Sequence, residues 1–130
     1  MRMDWYDSLI KPAWTPAPGV IGTIWTLLYP VIILVFGYVI WRVIRGSMPT
    51  SVLIPLAINV VANVAFTPIQ FGMRNLPLAS LDIVVVLATI IWCMVAFWPY
   101  SRWASLALTP YLAWVATASV LQLSITWLNR

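Results

Sequence analysis

This sequence of 130 residues predicts an all-α integral membrane protein, a bundle of four transmembrane helices. The chain is 63% hydrophobic and only 8% charged, whereas about 25% of the residues of a soluble domain are charged. Its apolar runs also lack the alternation of a barrel strand, and lipid offers the backbone no hydrogen-bond partners, so helices are favoured. Four stretches without a charged side chain can each supply the roughly 20 apolar residues of a span: between Lys11 and Arg42, Arg45 and Arg74, Asp82 and Arg102, and Arg102 and Arg130.

The first element is a segment rich in proline and tryptophan, residues 1–19, which we expect to lie at the membrane interface. Its three prolines, Pro12, Pro16 and Pro18, fix φ and lack an N–H, which favours an extended chain. Residues 20–130 are predicted to form the helical bundle, so that residues 1–130 make one membrane domain.

The four helices are predicted near residues 20–42, 50–72, 77–99 and 103–128. The connections between them are short, so consecutive helices should be antiparallel neighbours with both termini on one side. Pro68 leaves the carbonyl of Val64 without its helical donor and should kink the second helix. Eight aromatic residues fall near the span ends, as in an interfacial belt: Trp5, Tyr6, Trp14, Trp41, Trp98, Tyr100, Trp103 and Trp127.

Composition also excludes several classes of site. The chain has no histidine and a single cysteine, Cys93, so it lacks the ligands of a conventional zinc or haem-iron site. The net charge of +4 comes from Lys and Arg scattered among the connections. This distribution is typical of residues that flank membrane spans and argues against nucleic-acid binding. We therefore expect no metal site and no required cofactor.

The second helix carries the strongest polar signal. Asn59, Asn63, Phe66 and Gln70 follow 4-3-4 spacing and share one face. Their carboxamides either make interhelical hydrogen bonds or line a ligand cavity. Asp82 is the acidic residue nearest a span; it is either a functional carboxylate or a residue that caps its helix or pairs with Arg74.

Aromatic residues within the spans suggest a second feature. Trp25 and Tyr29 are i, i+4 neighbours in the first helix, and one face of the fourth carries Tyr111, Trp114, Ala118 and Gln122. These rings either pack as core or form an aromatic box for a flat ligand.

A further face of the fourth helix carries small residues at four-residue spacing. Ser105, Thr109, Ala113 and Thr117 would allow close approach of another helix, within the bundle or in a dimer.

The motifs resemble those of the TspO/translocator protein (peripheral benzodiazepine receptor) family. The resemblance rests on Trp5-Tyr6-Asp7-Ser8-Leu9-Ile10-Lys11-Pro12-Ala13-Trp14-Thr15-Pro16, on Trp25 with Leu28-Tyr29, on Asn59, on the Phe66–Phe71 stretch, on Ala79 to Asp82, and on Pro110-Tyr111-Leu112-Ala113-Trp114 followed by Ala118. Family members have five transmembrane helices, and this chain starts at the block after the first. We therefore expect a five-helix bundle minus its first helix. Ala17 and Gln122 depart from the family pattern.

The resemblance implies a bilayer-embedded pocket for porphyrins and related hydrophobic ligands, in a multi-pass protein of a bacterial cytoplasmic membrane that forms a homodimer. By resemblance, protoporphyrin or another tetrapyrrole would be the ligand, and Trp25 and Trp114 would carry any light- and oxygen-dependent breakdown of it. The implied binding residues are Tyr6, Trp25, Tyr29, Asn63, Phe66, Thr67, Gln70, Asp82, Trp114 and Ala118.

Three functions follow as hypotheses. The first is tetrapyrrole binding with a sensory or stress-related role. The second is enzymatic degradation of protoporphyrin, which requires both indoles to contact the ligand. The third is a small transporter or structural membrane partner, for which the stripe from Ser105 to Thr117 would be the working surface.

Overall fold

The computed structural model of the protein describes residues 4–129, and within them it confirms the all-α bundle of four spans. One-turn α1 precedes the bundle. The elements in order are α1 (Asp4–Asp7), α2 (Pro18–Ile44), a 3₁₀ turn (Thr50–Val52), α3 (Leu53–Thr67), a π-helical turn (Pro68–Gly72), α4 (Leu76–Phe97), α5 (Arg102–Ala107) and α6 (Thr109–Leu128). The segments long and apolar enough to cross a membrane are Gly19–Ile44, Thr50–Gly72, Leu76–Phe97 and Arg102–Leu128.

Local signals in the sequence explain where the helices end. After α2, Gly46 has φ of 78°, a left-handed conformation that suits glycine. The amide of Ser47 then donates to the Arg42 carbonyl at 2.9 Å, and that of Gly46 to the Val43 carbonyl at 3.0 Å, as in a Schellman motif. The side chains of Asn75 and Ser101 cap the starts of α4 and α5, where such residues satisfy free amides.

Two prolines reshape the spans in ways that differ in part from the predictions. At Pro68, the helix passes into a wider π turn, which accommodates the missing N–H of the proline. The second span is therefore irregular at the position where the sequence predicted a kink. The fourth span was predicted as one helix over residues 103–128, and this was wrong in detail. Leu108 interrupts it between α5 and α6, because Pro110 has no amide to donate to the Leu106 carbonyl.

Helix α4 forms the centre of the bundle, with α3 on one side and α6 on the other, while α2 packs against α5 and α6. A solid apolar core fills the half of the bundle that contains Val39, Ile90 and Phe97, each 0% exposed. The cavity described below lies in the other half.

The predicted small-residue stripe does not form one contact face. Ser105 is buried within the bundle, where its hydroxyl donates to the Met94 carbonyl at 2.7 Å. Thr109, Ala113 and Thr117 are exposed. The interruption at Leu108 changes the helical register between these two groups, so the contact within the bundle is limited to Ser105.

The N-terminal segment crosses one end of the bundle and is bonded there to Asn129, which follows α6. The side chain of Asn129 accepts a hydrogen bond from the Ile10 amide at 3.0 Å and donates to the Ile10 carbonyl at 2.8 Å. The Lys11 ammonium donates to the Tyr6 carbonyl at 2.8 Å and to the Leu9 carbonyl at 3.2 Å. These contacts position Tyr6, which is only 4% exposed. Tyr6 is therefore a buried residue, packed against the bundle at the end where the sequence placed it among the aromatic residues near the span ends.

Candidate ligand-binding cavity

An internal cavity of about 360 Å³ lies directly below the N-terminal segment. This volume falls within the lower part of the range of small-molecule sites, about 300–1,000 Å³. All four spans and Tyr6 contribute to its wall. The lining residues are Tyr6, Ile21, Gly22, Trp25, Tyr29, Asn63, Phe66, Thr67, Gln70, Phe71, Ile83, Val86, Trp114, Ala118, Leu121, Gln122 and Ile125.

The cavity brings together almost all of the site residues expected from the sequence. Those that line it are Tyr6, Trp25, Tyr29, Asn63, Phe66, Thr67, Gln70, Trp114 and Ala118. Asp82 is the exception: its neighbour Ile83 lines the cavity and Asp82 does not. That any of these residues contacts a ligand stays a prediction.

Aromatic rings form one wall. Trp25 stacks on Tyr29 at a centroid distance of 5.5 Å, and the Trp114 indole meets Trp25 edge to face at 6.5 Å with an interplanar angle of 85°. Tyr6 closes the end of the cavity and packs edge-on against Phe71 at 5.6 Å. Burial, with a smaller contribution from Asp7, raises the pKa of the Tyr6 phenol above its ordinary value. The ring is therefore neutral at physiological pH and suits an apolar guest.

A chain of hydrogen bonds runs from the cavity into the bundle. The Tyr29 hydroxyl donates to Asn63 Oδ1 at 3.2 Å, Asn63 Nδ2 donates to the Tyr111 hydroxyl at 2.6 Å, and that hydroxyl donates to Asn59 Oδ1 at 3.1 Å. Asn59 Nδ2 donates in turn to Thr89 Oγ1 at 3.0 Å. Asn59 and Asn63 therefore both make interhelical hydrogen bonds, and Asn63 also lines the cavity; that the carboxamides serve a ligand stays a prediction.

Gln70 and Gln122 form a reciprocal pair across the cavity wall. Nε2 of Gln70 donates to Oε1 of Gln122 at 2.9 Å, and the return bond from Nε2 of Gln122 is 2.8 Å. Both residues are 3% exposed. Gln70 lies in the π turn that follows α3, so the irregularity at Pro68 places this carboxamide opposite α6.

Within residues 4–129, three buried side-chain polar atoms have no hydrogen-bond partner: Trp114 Nε1, Asp82 Oδ2 and Ser119 Oγ. An unsatisfied buried polar group costs about 1–3 kcal/mol. The Trp114 indole lines the cavity, but its Nε1 atom is itself buried. Asp82 lies in the second turn of α4, beyond the cap formed by Asn75, and no ion pair joins it to Arg74 within residues 4–129. The capping and pairing alternatives for Asp82 were therefore wrong.

Sequence reasoning did not assign several of the lining residues. Gln122 was recognised on the aromatic face of the fourth helix but was not included in the site. Ile21, Phe71, Ile83, Val86, Leu121 and Ile125 were missed altogether. These side chains are ordinary span residues by type, and only the way the helices pack distinguishes those that face the cavity from those that face lipid. Gly22 was also missed, although a small residue one turn before Trp25 was a usable signal.

The fold and the site together define a multi-pass α-helical membrane protein with an internal cavity walled by indoles and carboxamides. The sequence model of the TspO/MBR family matches residues 1–128, and the chain belongs to this family. It is 39% identical over 126 residues to the uncharacterized membrane protein YtaB of Bacillus subtilis, covering 97% of this chain and 81% of that protein.

Two further relatives carry descriptive names. The tryptophan-rich protein TspO of Bacillus cereus is 33% identical over 112 residues, covering 78% of this chain and 72% of its own length. The human translocator protein is 32% identical over 114 residues, covering 76% and 66%.

Proposed function

We propose that the protein binds a porphyrin or a related flat, hydrophobic tetrapyrrole in its intramembrane cavity and serves a sensory or stress-related role. The observation that carries this proposal is the wall formed by Trp25, Tyr29 and Trp114, with centroid distances of 5.5 and 6.5 Å. Aromatic faces stack on a conjugated ring system.

The edge of the cavity supports the fit of a large ligand. Gly22 and Tyr29 line the cavity and are both exposed on the bundle surface, Tyr29 by 45%. A methyl group placed on Gly22 would meet no other atom within 4 Å. A macrocycle too large for the cavity would therefore extend laterally past α2, with its apolar edge among the acyl chains of the surrounding lipids.

Replacing both indoles tests binding. In a Trp25→Phe/Trp114→Phe variant we expect the affinity for protoporphyrin to fall about tenfold, because aromatic contacts contribute about 0.5–1.5 kcal/mol each and a phenyl ring offers less stacking area than an indole. Binding is measured by titrating the purified chain and following porphyrin absorbance, which does not depend on the number of tryptophans.

The matched control is Trp92→Phe/Trp103→Phe, which removes two indoles that are 47% and 45% exposed and do not line the cavity. It should bind as the wild type does. Equal affinity in both double variants would remove the basis of the proposal.

A second candidate is slow photo-oxidative degradation of the bound porphyrin. The edge-to-face arrangement of Trp25 and Trp114 favours it, since both indoles line the same space. In this candidate, the excited porphyrin sensitises dissolved oxygen and the adjacent indoles take part in the oxidation.

Illumination in air separates this candidate from binding alone. At saturating protein, we expect bound porphyrin to lose absorbance faster with the wild type than with the Trp25→Phe/Trp114→Phe variant. The Trp92→Phe/Trp103→Phe variant should follow the wild type. Identical bleaching rates for all three proteins, each fully loaded with porphyrin, would leave binding as the function.

A further inference from the structure

The end of the bundle far from the cavity carries positive side chains and no acidic ones. Arg42 and Arg45 lie at the end of α2, and Arg102 begins α5. The three acidic residues of the chain are Asp4 and Asp7 in α1 and Asp82 in the second turn of α4, and all belong to the cavity end. The region around Arg42, Arg45 and Arg102 is called the arginine end below.

Each guanidinium of the arginine end lies over an aromatic ring. Arg45 is 5.1 Å from the centroid of Trp41, and Arg102 is 5.2 Å from that of Trp98. The two indoles are 50% and 44% exposed. Cation–π contact restricts the side chain while its edge donors remain available. Half-exposed indoles are favoured at the headgroup level of a bilayer, so the two cations lie at the same depth.

Arg42 has a different, internal role. Its Nε donates to Ser47 Oγ at 2.6 Å and Nη1 donates to the Tyr38 hydroxyl at 2.8 Å. Both terminal nitrogens also approach the Tyr100 carbonyl at 3.5 Å. Arg42 therefore joins the connection after α2 to the connection before α5, and this brings the two outer arginines onto one end surface.

Arg45 and Arg102 are exposed, and within residues 4–129 the side chain of neither makes a hydrogen bond or an ion pair. The N–H donors of both guanidinium groups are therefore free, although each group is held over an indole ring. At the cavity end, the Lys11 ammonium donates to backbone carbonyls, whereas Arg74 is exposed and lies 6.0 Å from the centroid of Trp5. That end also contains all three acidic residues of the sequence, so the two ends differ in net charge.

We propose that the arginine end binds the phosphate groups of anionic phospholipids, with Arg45 and Arg102 as the donors. The planar guanidinium matches a phosphate with two parallel N–H donors. The acyl chains of such a lipid would lie along the exposed apolar faces of the spans. This surface is separate from the cavity, so the proposal does not depend on the ligand that the cavity accepts.

Lipid competition tests the proposal. The purified full chain in detergent is offered equal amounts of phosphatidylglycerol and phosphatidylcholine with the same acyl chains, and bound lipids are counted by native mass spectrometry. We expect the wild type to prefer phosphatidylglycerol. Arg45→Gln/Arg102→Gln should reduce that preference by about fivefold per arginine, the change that corresponds to about 1 kcal/mol for each basic residue near an anionic surface.

The control Lys11→Gln/Arg74→Gln removes the same net charge from the cavity end and should keep the preference. An equal loss in both double variants, or no preference in the wild type, would overturn the proposal. Inorganic phosphate that displaced the lipid at equal concentration would also overturn it, because it would show an anion site without a lipid requirement. The preference of the wild-type protein for phosphatidylglycerol should weaken as the salt concentration rises, because salt screens the charges. A preference that does not change with salt would count against the proposal.

Discussion

Tyr111→Ala is expected to destabilise the bundle by about 3–5 kcal/mol, the usual cost of truncating a large buried aromatic side chain. Tyr111 is 0% exposed and contacts Trp25 at a centroid distance of 6.3 Å. Its hydroxyl also links Asn59 to Asn63, so truncation leaves a cavity and deprives two carboxamides of a partner. Unfolding of the purified protein in mixed micelles, followed by circular dichroism during titration with a denaturing detergent, measures the change.

Two other variants separate packing from hydrogen bonding. Tyr111→Phe retains the ring and should cost only about 1 kcal/mol, because interhelical hydrogen bonds in membranes are individually weak. Tyr100→Ala, at a tyrosine that is 43% exposed, should cost less than about 1 kcal/mol. A Tyr111→Ala variant as stable as Tyr100→Ala would contradict the central packing role.

The Gln70–Gln122 pair should show strong coupling in a double-mutant cycle. Gln70→Met or Gln122→Met alone leaves the other buried carboxamide without its partner and should cost about 1–2 kcal/mol. The double variant removes both polar groups, and methionine is similar in length, so it should lie within about 1 kcal/mol of the wild type. The same unfolding titration measures all four proteins.

The reason for this non-additivity is that the two carboxamides satisfy one another through both reciprocal bonds, at 2.9 and 2.8 Å. A double variant whose loss equals the sum of the two single losses would show that the pair is not coupled. Ser124→Ala provides a control for α6, since that hydroxyl bonds only to the Val120 carbonyl of its own helix and the residue is partly exposed.

The sequence indicated which polar and aromatic residues share a helix face, but it left their use open. Asn63 follows Asn59 by one helical turn. Asn59 is nevertheless 1% exposed and bonds to Thr89 of α4, whereas Asn63 lines the cavity. Small rotations and crossing angles between helices decide this difference. Such angles depend on the packing of side chains from several spans and cannot be obtained from one helix.

Asp82 illustrates the same limit. Its position near a span left a functional role, a helix cap and a pair with Arg74 open, and the family resemblance implied ligand binding. It shares a turn with Ile83, which lines the cavity, but does not line the cavity itself. The direction of its side chain depends on how α4 is rotated at the centre of the bundle. The interruption at Leu108 likewise follows from Pro110, yet its effect on the stripe from Ser105 to Thr117 became visible only with the helices in place.

The sequence by itself determined the membrane class and the four spans, because hydrophobic length, charge spacing and helical periodicity are local properties of the chain. Its motifs carried the resemblance to the family, and that resemblance implied most of the aromatic and carboxamide positions of the cavity. Only the tertiary structure decided which carboxamides join helices, how Gln70 pairs with Gln122, and that Tyr6 closes the cavity. These features depend on contacts between residues far apart in the chain, and lipid-embedded helices acquire such contacts only when they pack against one another.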